Sequence, residues 1–222
     1  MAVEFDATGR RLGIVSATAV ALLLVAYAIT LIIGFASLES PSDQIGDPMF
    51  SILEILIIAL MPAMVAMMVA VYAWAPARQK TFGMLAVIFM GLLAGVTMSL
   101  HFVILSVSRQ PEFTALPWLP LLTSFTWPSV AYALDIVAWD VFFALSMLFA
   151  ALCFRGGGLA AWVRGFMVAS GVLALAGLSG VVAGDMALRN IGIVGYVPVF
   201  LVVAILLARL FTTAQVREGR AA

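Results

Sequence analysis

Six stretches of the chain run almost without interruption through apolar residues, at about 12–36, 50–74, 82–107, 130–154, 162–184 and 191–211. A helix needs about 20 such residues to cross about 30 Å of hydrocarbon, because in lipid the backbone must satisfy its own hydrogen bonds. Each stretch reaches that length, and none alternates with the two-residue period of a barrel strand. Breakers separate them: Pro41 and Pro48, Pro76, the stretch 111–128, Gly156-Gly157-Gly158, and Arg189-Asn190. The pattern predicts an all-α fold, a polytopic bundle of six transmembrane helices forming one integral membrane domain over residues 1–222.

Composition narrows the function classes. Hydrophobic residues make up 65% of the 222, charged ones 10%, and the mean hydropathy is +1.20. This composition has too little polar material to cover the surface of a water-soluble enzyme, and a net charge of zero offers nothing to a nucleic acid. The lone Cys153 excludes a disulfide within the chain and reads as an apolar filler near a helix end. The stretch 12–36 is too long for a signal-peptide core of about 7–15 residues and reads as a retained span.

Loop charges predict the orientation. Arg10, Arg11, Arg78, Lys80, Arg155, Arg164, Arg209, Arg217 and Arg220 fall on one side, Arg109 and Arg189 on the other. Positive residues collect in the cytoplasm, so both termini are expected inside, in a bacterial cytoplasmic membrane. Glu39, Asp43, Asp47, Glu112 and Asp185 then face outwards.

The longest connection, 108–129, carries Trp118, Phe125 and Trp127 among Pro111, Pro117, Pro120 and Pro128. Prolines forbid a regular span there and aromatic rings suit the interface, so it is expected to form an outer cap. Trp127, Arg109 and Asp185 are its candidate gating residues. Gly91 with Gly95, and Gly180 with Gly184, form G-x-x-x-G pairs; Ser170, Ala174 and Gly177 share nearly the face of the second pair. Such faces let helices approach within the bundle, in a homo-oligomer, or against a partner membrane subunit.

Ionisable groups in hydrocarbon cost about 2.5–3.5 kcal/mol on insertion scales, which makes Glu54, His101, Asp135 and Asp140 the candidate proton- or substrate-binding residues. At about 1.5 Å per residue they lie roughly 6, 9, 8 and 15 Å below the outer helix ends. The simplest common arrangement is a polar chamber open to the outside. Helical phase puts Glu54, Ile58, Met61, Met64 and Met68 on one stripe broken by Pro62, and Gly91, Ala94, Met98 and His101 on another. Tyr132, Asp135 and Trp139 share a face, with Asp140 turned about 140° from Asp135. Asp140 has no lysine or arginine within a span to pair with it.

Metal and enzyme chemistry find little support. Met61, Met64, Met67 and Met68 are soft donors, yet methionine is also a flexible core filler and no second histidine joins His101. No metal and no cofactor is expected. Gly177-Leu178-Ser179-Gly180 matches the G-x-S-G of rhomboid proteases in letters, but His101 precedes the serine instead of following it. The preferred expectation is a small carrier or proton-linked permease using Asp140, Glu54, Asp135 and His101. An accessory or scaffold subunit is the alternative and an intramembrane hydrolase the third. The small-molecule ligand is not identified by the sequence.

Overall fold

The computed structural model describes residues 6–40 and 45–214; Pro41, Asp43, Arg217 and Arg220 lie outside them. The described chain is helical, with no strand among those residues. Six helices are long and apolar enough to cross a membrane: Ala7–Ala36, Met49–Trp74, Ala77–Arg109, Val130–Ala151, Leu159–Ala183 and Asn190–Thr213. Their ends differ from the apolar stretches by a few residues, and polar side chains cap two of them. Asp6 accepts from the Gly9 amide and starts the first span well before Leu12. Ser129 accepts from the Tyr132 amide and starts the fourth. The fourth stops at Ala151, ahead of Gly156 and Gly158, whose φ values of 89° and 61° favour residues without a side chain.

Consecutive spans are neighbours, and the first also packs on the sixth, so the six form a closed ring. Arg10 seals that last contact: its Nε and Nη2 donate to the carbonyls of Phe211 and Thr212 at 3.1 and 2.8 Å. These are carbonyls at the end of a helix, which lack partners of their own. The centre is filled by fully buried Met61, Met64, Met67, Met68, Met90 and Met147 with Phe143 and Phe200. The Phe143 and Phe200 rings meet edge to face at 4.9 Å, across the ring of helices.

The fifth and sixth spans approach closely. Ser170 donates to the Gly195 carbonyl at 2.8 Å, and a Cβ on Gly195 would lie 2.7 Å from the Ser170 carbonyl oxygen. The small face of the fifth span is therefore an internal contact. Gly91 and Gly95 are different: they are exposed, and a Cβ at either would meet nothing within 4 Å. The stripe predicted for the third span divides accordingly. Ala94 and His101 turn inwards with Met90, Thr97 and Ile104, whereas Gly91 and Met98 turn outwards.

Two spans widen into π-helix, the fourth over Val137–Phe143 and the sixth over Gly195–Val199. Pro198 accounts for the second: it has no N–H to give and its ring crowds the preceding turn, so the helix opens there. The fourth-span segment contains no proline and carries Asp140. Both widenings lie beside the polar cluster described next.

The Phe143 contact yields a stability prediction. Phe143→Ala should cost about 2–3 kcal/mol, below the about 3–5 typical of water-soluble cores, because lipid solvates separated helices and the cavity term dominates. Thermal unfolding in one detergent would measure it; a loss under 1 kcal/mol would contradict the packing described.

Candidate functional site

Five ionisable side chains from the second, third and fourth spans and the turn before the sixth meet in one line. His101 Nδ1 lies 2.8 Å from Glu54 Oε2, a hydrogen bond between imidazole and carboxyl group. On its other edge His101 Nε2 is 3.9 Å from Asp135 Oδ1. Asp135 Oδ2 accepts from Arg189 Nη2 at 2.8 Å, and Asp140 Oδ2 accepts from Arg189 Nε at 3.2 Å. The order is Glu54, His101, Asp135, Arg189, Asp140. Tyr27 of the first span lies within electrostatic range of Asp135 and Glu54.

The line closes through a helical irregularity. Asp135 and Asp140 are five residues apart, which in a regular α-helix turns them to different faces. Asp135 ends the regular α-helical turn and Asp140 lies in the π segment that starts at Val137, whose wider turn reduces the angle between them, and both carboxylates reach one guanidinium. The predicted divergence of about 140° is thereby corrected.

Asp140 is also no longer unpaired. Arg189, expected in an outer loop, folds inwards from the foot of the sixth span and is 5% exposed. Long basic side chains run along apolar surface until the head finds a partner, and here the partner lies inward. Asp185, a candidate gating residue, accepts from the Ala187 amide at 2.9 Å and shapes the turn that delivers Arg189. Arg109 pairs with Asp47 at 3.2 Å, not with Asp185. The Ser51 hydroxyl, aided by Arg109, holds the exposed Asp47 carboxyl below its usual range. That latch is complete at neutral pH and weakens as pH falls through the lowered value.

Glycines make room for Asp140. A Cβ on Gly192 would sit 2.9 Å from its Oδ1, and one on Gly177 3.2 Å from its Cγ and both oxygens. Asp140 Oδ1 is buried without a hydrogen-bond partner, as are His101 Nε2 and Thr97 Oγ1. Gly180 lets the returning turn approach: its Cβ would be 2.9 Å from the Arg189 nitrogen. Gly184 ends the fifth span at φ 69° and packs against nothing.

The long connection covers the cluster. It contains two short helices, Pro111–Thr114 and Leu119–Thr123, followed by Phe125, whose ring stacks on His101 at 5.2 Å. Ser129 closes this loop by donating to the Ser124 carbonyl. Trp127 meets Tyr132 edge to face at 6.5 Å, and Arg189 lies 4.6 Å over the Tyr132 ring. The expected open chamber is therefore closed: Glu54, His101, Asp140 and Arg189 are all buried. Met61, Met64, Met67 and Met68 are core, and no trio of His, Cys, Asp or Glu among the described residues is grouped to hold a metal. Ser179 is exposed at a break in the fifth span.

No protein family, no curated protein and no solved structure matches this chain.

Two measurements follow from the cluster. Arg189→Gln leaves two carboxylates buried without their cation and should cost about 3–5 kcal/mol, with Asp135→Asn plus Asp140→Asn in the same chain restoring most of it. A full loss without recovery in the triple variant would contradict the pairing. Gly192→Ala should cost about 1–3 kcal/mol by crowding Asp140, while Gly91→Ala should be neutral or stabilise by about 0.5–1 kcal/mol. Equal melting temperatures for the two would contradict the cradle.

Proposed function

We propose that this multi-pass membrane protein binds and releases a proton at the Glu54–His101–Asp135–Arg189–Asp140 cluster, from the side of the membrane that carries the long loop, as a small proton-linked carrier. The observation that carries this reading is a charge imbalance. Three carboxylates face one guanidinium and one imidazole, so even with the imidazole fully protonated the buried cluster is one positive charge short of neutrality. An uncompensated charge in hydrocarbon is costly, and a proton is the cation that needs no added space. Asp140 Oδ1 and His101 Nε2, both without partners, are the atoms at which the proton count of the cluster changes.

Beyond the cluster, away from the long loop, the buried centre is methionine and phenylalanine. This supports proton exchange from one side, with carriage across the membrane requiring the spans to rearrange. Phe125 controls access, because its ring covers the imidazole.

A second reading rests on a separate observation: Gly91 and Gly95 face outwards with open space above them, as a face for a partner helix would. In this accessory-subunit reading the ion pairs hold the fold. Native mass spectrometry of gently extracted protein discriminates, since a stoichiometric second chain favours it.

Infrared difference spectroscopy of the reconstituted protein tests the proton site directly. The wild type should show a protonated-carboxyl band that bleaches on raising pH and is removed by one of Glu54→Gln, Asp135→Asn or Asp140→Asn. In Phe125→Ala the same band should exchange with deuterium faster. A spectrum without such a band at any pH sinks the proposal, and a band without pH-gradient dissipation in sealed vesicles sinks the carrier part alone.

A further inference from the structure

On the lipid-facing side of the third span a groove of about 550 Å³ runs between that span, the start of the fourth and the short helices of the long loop. Gly95 and Val103 form its floor, Val130 and Leu134 one wall, Phe113 and Leu122 the other. Its volume lies within the range of about 300–1,000 Å³ typical of ligand clefts.

Three observations bear on what fills it. The first is chemistry. The lining is apolar apart from hydroxyls, and two of these are already engaged: Ser108 donates to the Ile104 carbonyl at 2.6 Å and Thr123 to the Leu119 carbonyl at 3.1 Å. A polar ligand finds little to bond, so the occupant is hydrocarbon. The second is length. From Gly95 to Ser108 the third span rises about 20 Å at about 1.5 Å per residue, slightly more than the about 15 Å of one hydrocarbon leaflet. The groove therefore runs from headgroup level to near the midplane. The third is surroundings. Phe102 and Met98, beside the floor, are 61% and 37% exposed within a membrane-spanning segment, so the medium next to the groove is acyl chain.

We infer that the groove is a binding site for one acyl chain of a phospholipid in the leaflet on the long-loop side. A helix from a second copy fits less well. Laid along Gly91 and Gly95 it would run on into the loop helices that form the groove's wall, whereas a flexible chain lies beneath them. The inference is independent of the proton reading, since no member of the ionic cluster lines the groove.

Native mass spectrometry in a delipidating detergent, with dioleoyl-phosphatidylglycerol added in steps, tests it. The wild type should take up one lipid in preference to further ones. Gly95→Leu fills the floor at a position with open space, so it should fold and bind at least about tenfold more weakly. Gly91→Leu, on the same face but outside the groove, should bind like the wild type. Should Gly95→Leu fail to fold, Leu134→Trp blocks the groove from the fourth-span wall. Equal uptake by all variants would mean unspecific surrounding lipid and overturn the site. A wild-type dimer broken by both glycine variants would overturn it in favour of a second copy.

Discussion

A guanidinium buried between two carboxylates, as Arg189 is between Asp135 and Asp140, constrains everything around it. Removing three charges from water costs several kcal/mol each, and their attraction offsets this only when every group is held in place. The surrounding irregularities serve that requirement. The π segment that begins just after Asp135 and carries Asp140 lets both carboxylates reach one cation. Gly177 and Gly192 leave the volume that the Asp140 carboxylate occupies, and Gly180 admits the turn from which Arg189 reaches in. Tyr132 lies under the guanidinium and is itself braced by Trp127. Features in three spans and one loop thus share a single electrostatic cause.

Much of this molecule could be read from its sequence, for a definite reason. Hydrocarbon demands long uninterrupted apolar helices, so the six spans stand out in the residue pattern, and only their capped ends move. Glu54, His101, Asp135 and Asp140 were legible as a group because charge in a span is rare. Their connectivity was not. Phase arguments assume about 100° per residue, and a π-helical insertion breaks that assumption without a sequence mark in the fourth span, although Pro198 gives one in the sixth. Arg189 was placed in a loop because it stands just outside an apolar stretch. An arginine within one turn of a span end, followed at once by Gly192 and Gly195, is the signal that could have drawn it inwards. Phe125 and Trp127 were legible as aromatic residues of an outer cap, and which of them lies on His101 becomes visible only when the loop folds back.

The polar groups are distributed asymmetrically, and this shapes what the protein can do. At the long-loop end ion pairs join the spans, while the remainder of the centre is mainly apolar and rich in methionine and phenylalanine, with single bonds such as Ser146 to the Ala86 carbonyl at 2.8 Å. Methionine has several accessible rotamers and adapts to a changed neighbour at low cost.

Cover and charge are linked in the same way. While Phe125 lies on His101, water is kept from the imidazole and any net charge on the cluster remains costly. Lifting the ring admits water and lowers that cost. On the proton-binding reading the two equilibria are reciprocal: the closed loop favours the neutral cluster, and the neutral cluster favours the closed loop. Neither the aromatic cap nor the unequal count of acids and bases accounts for such a linkage alone. On that same reading the loop supplies the two states, and the missing positive charge supplies the energy difference between them.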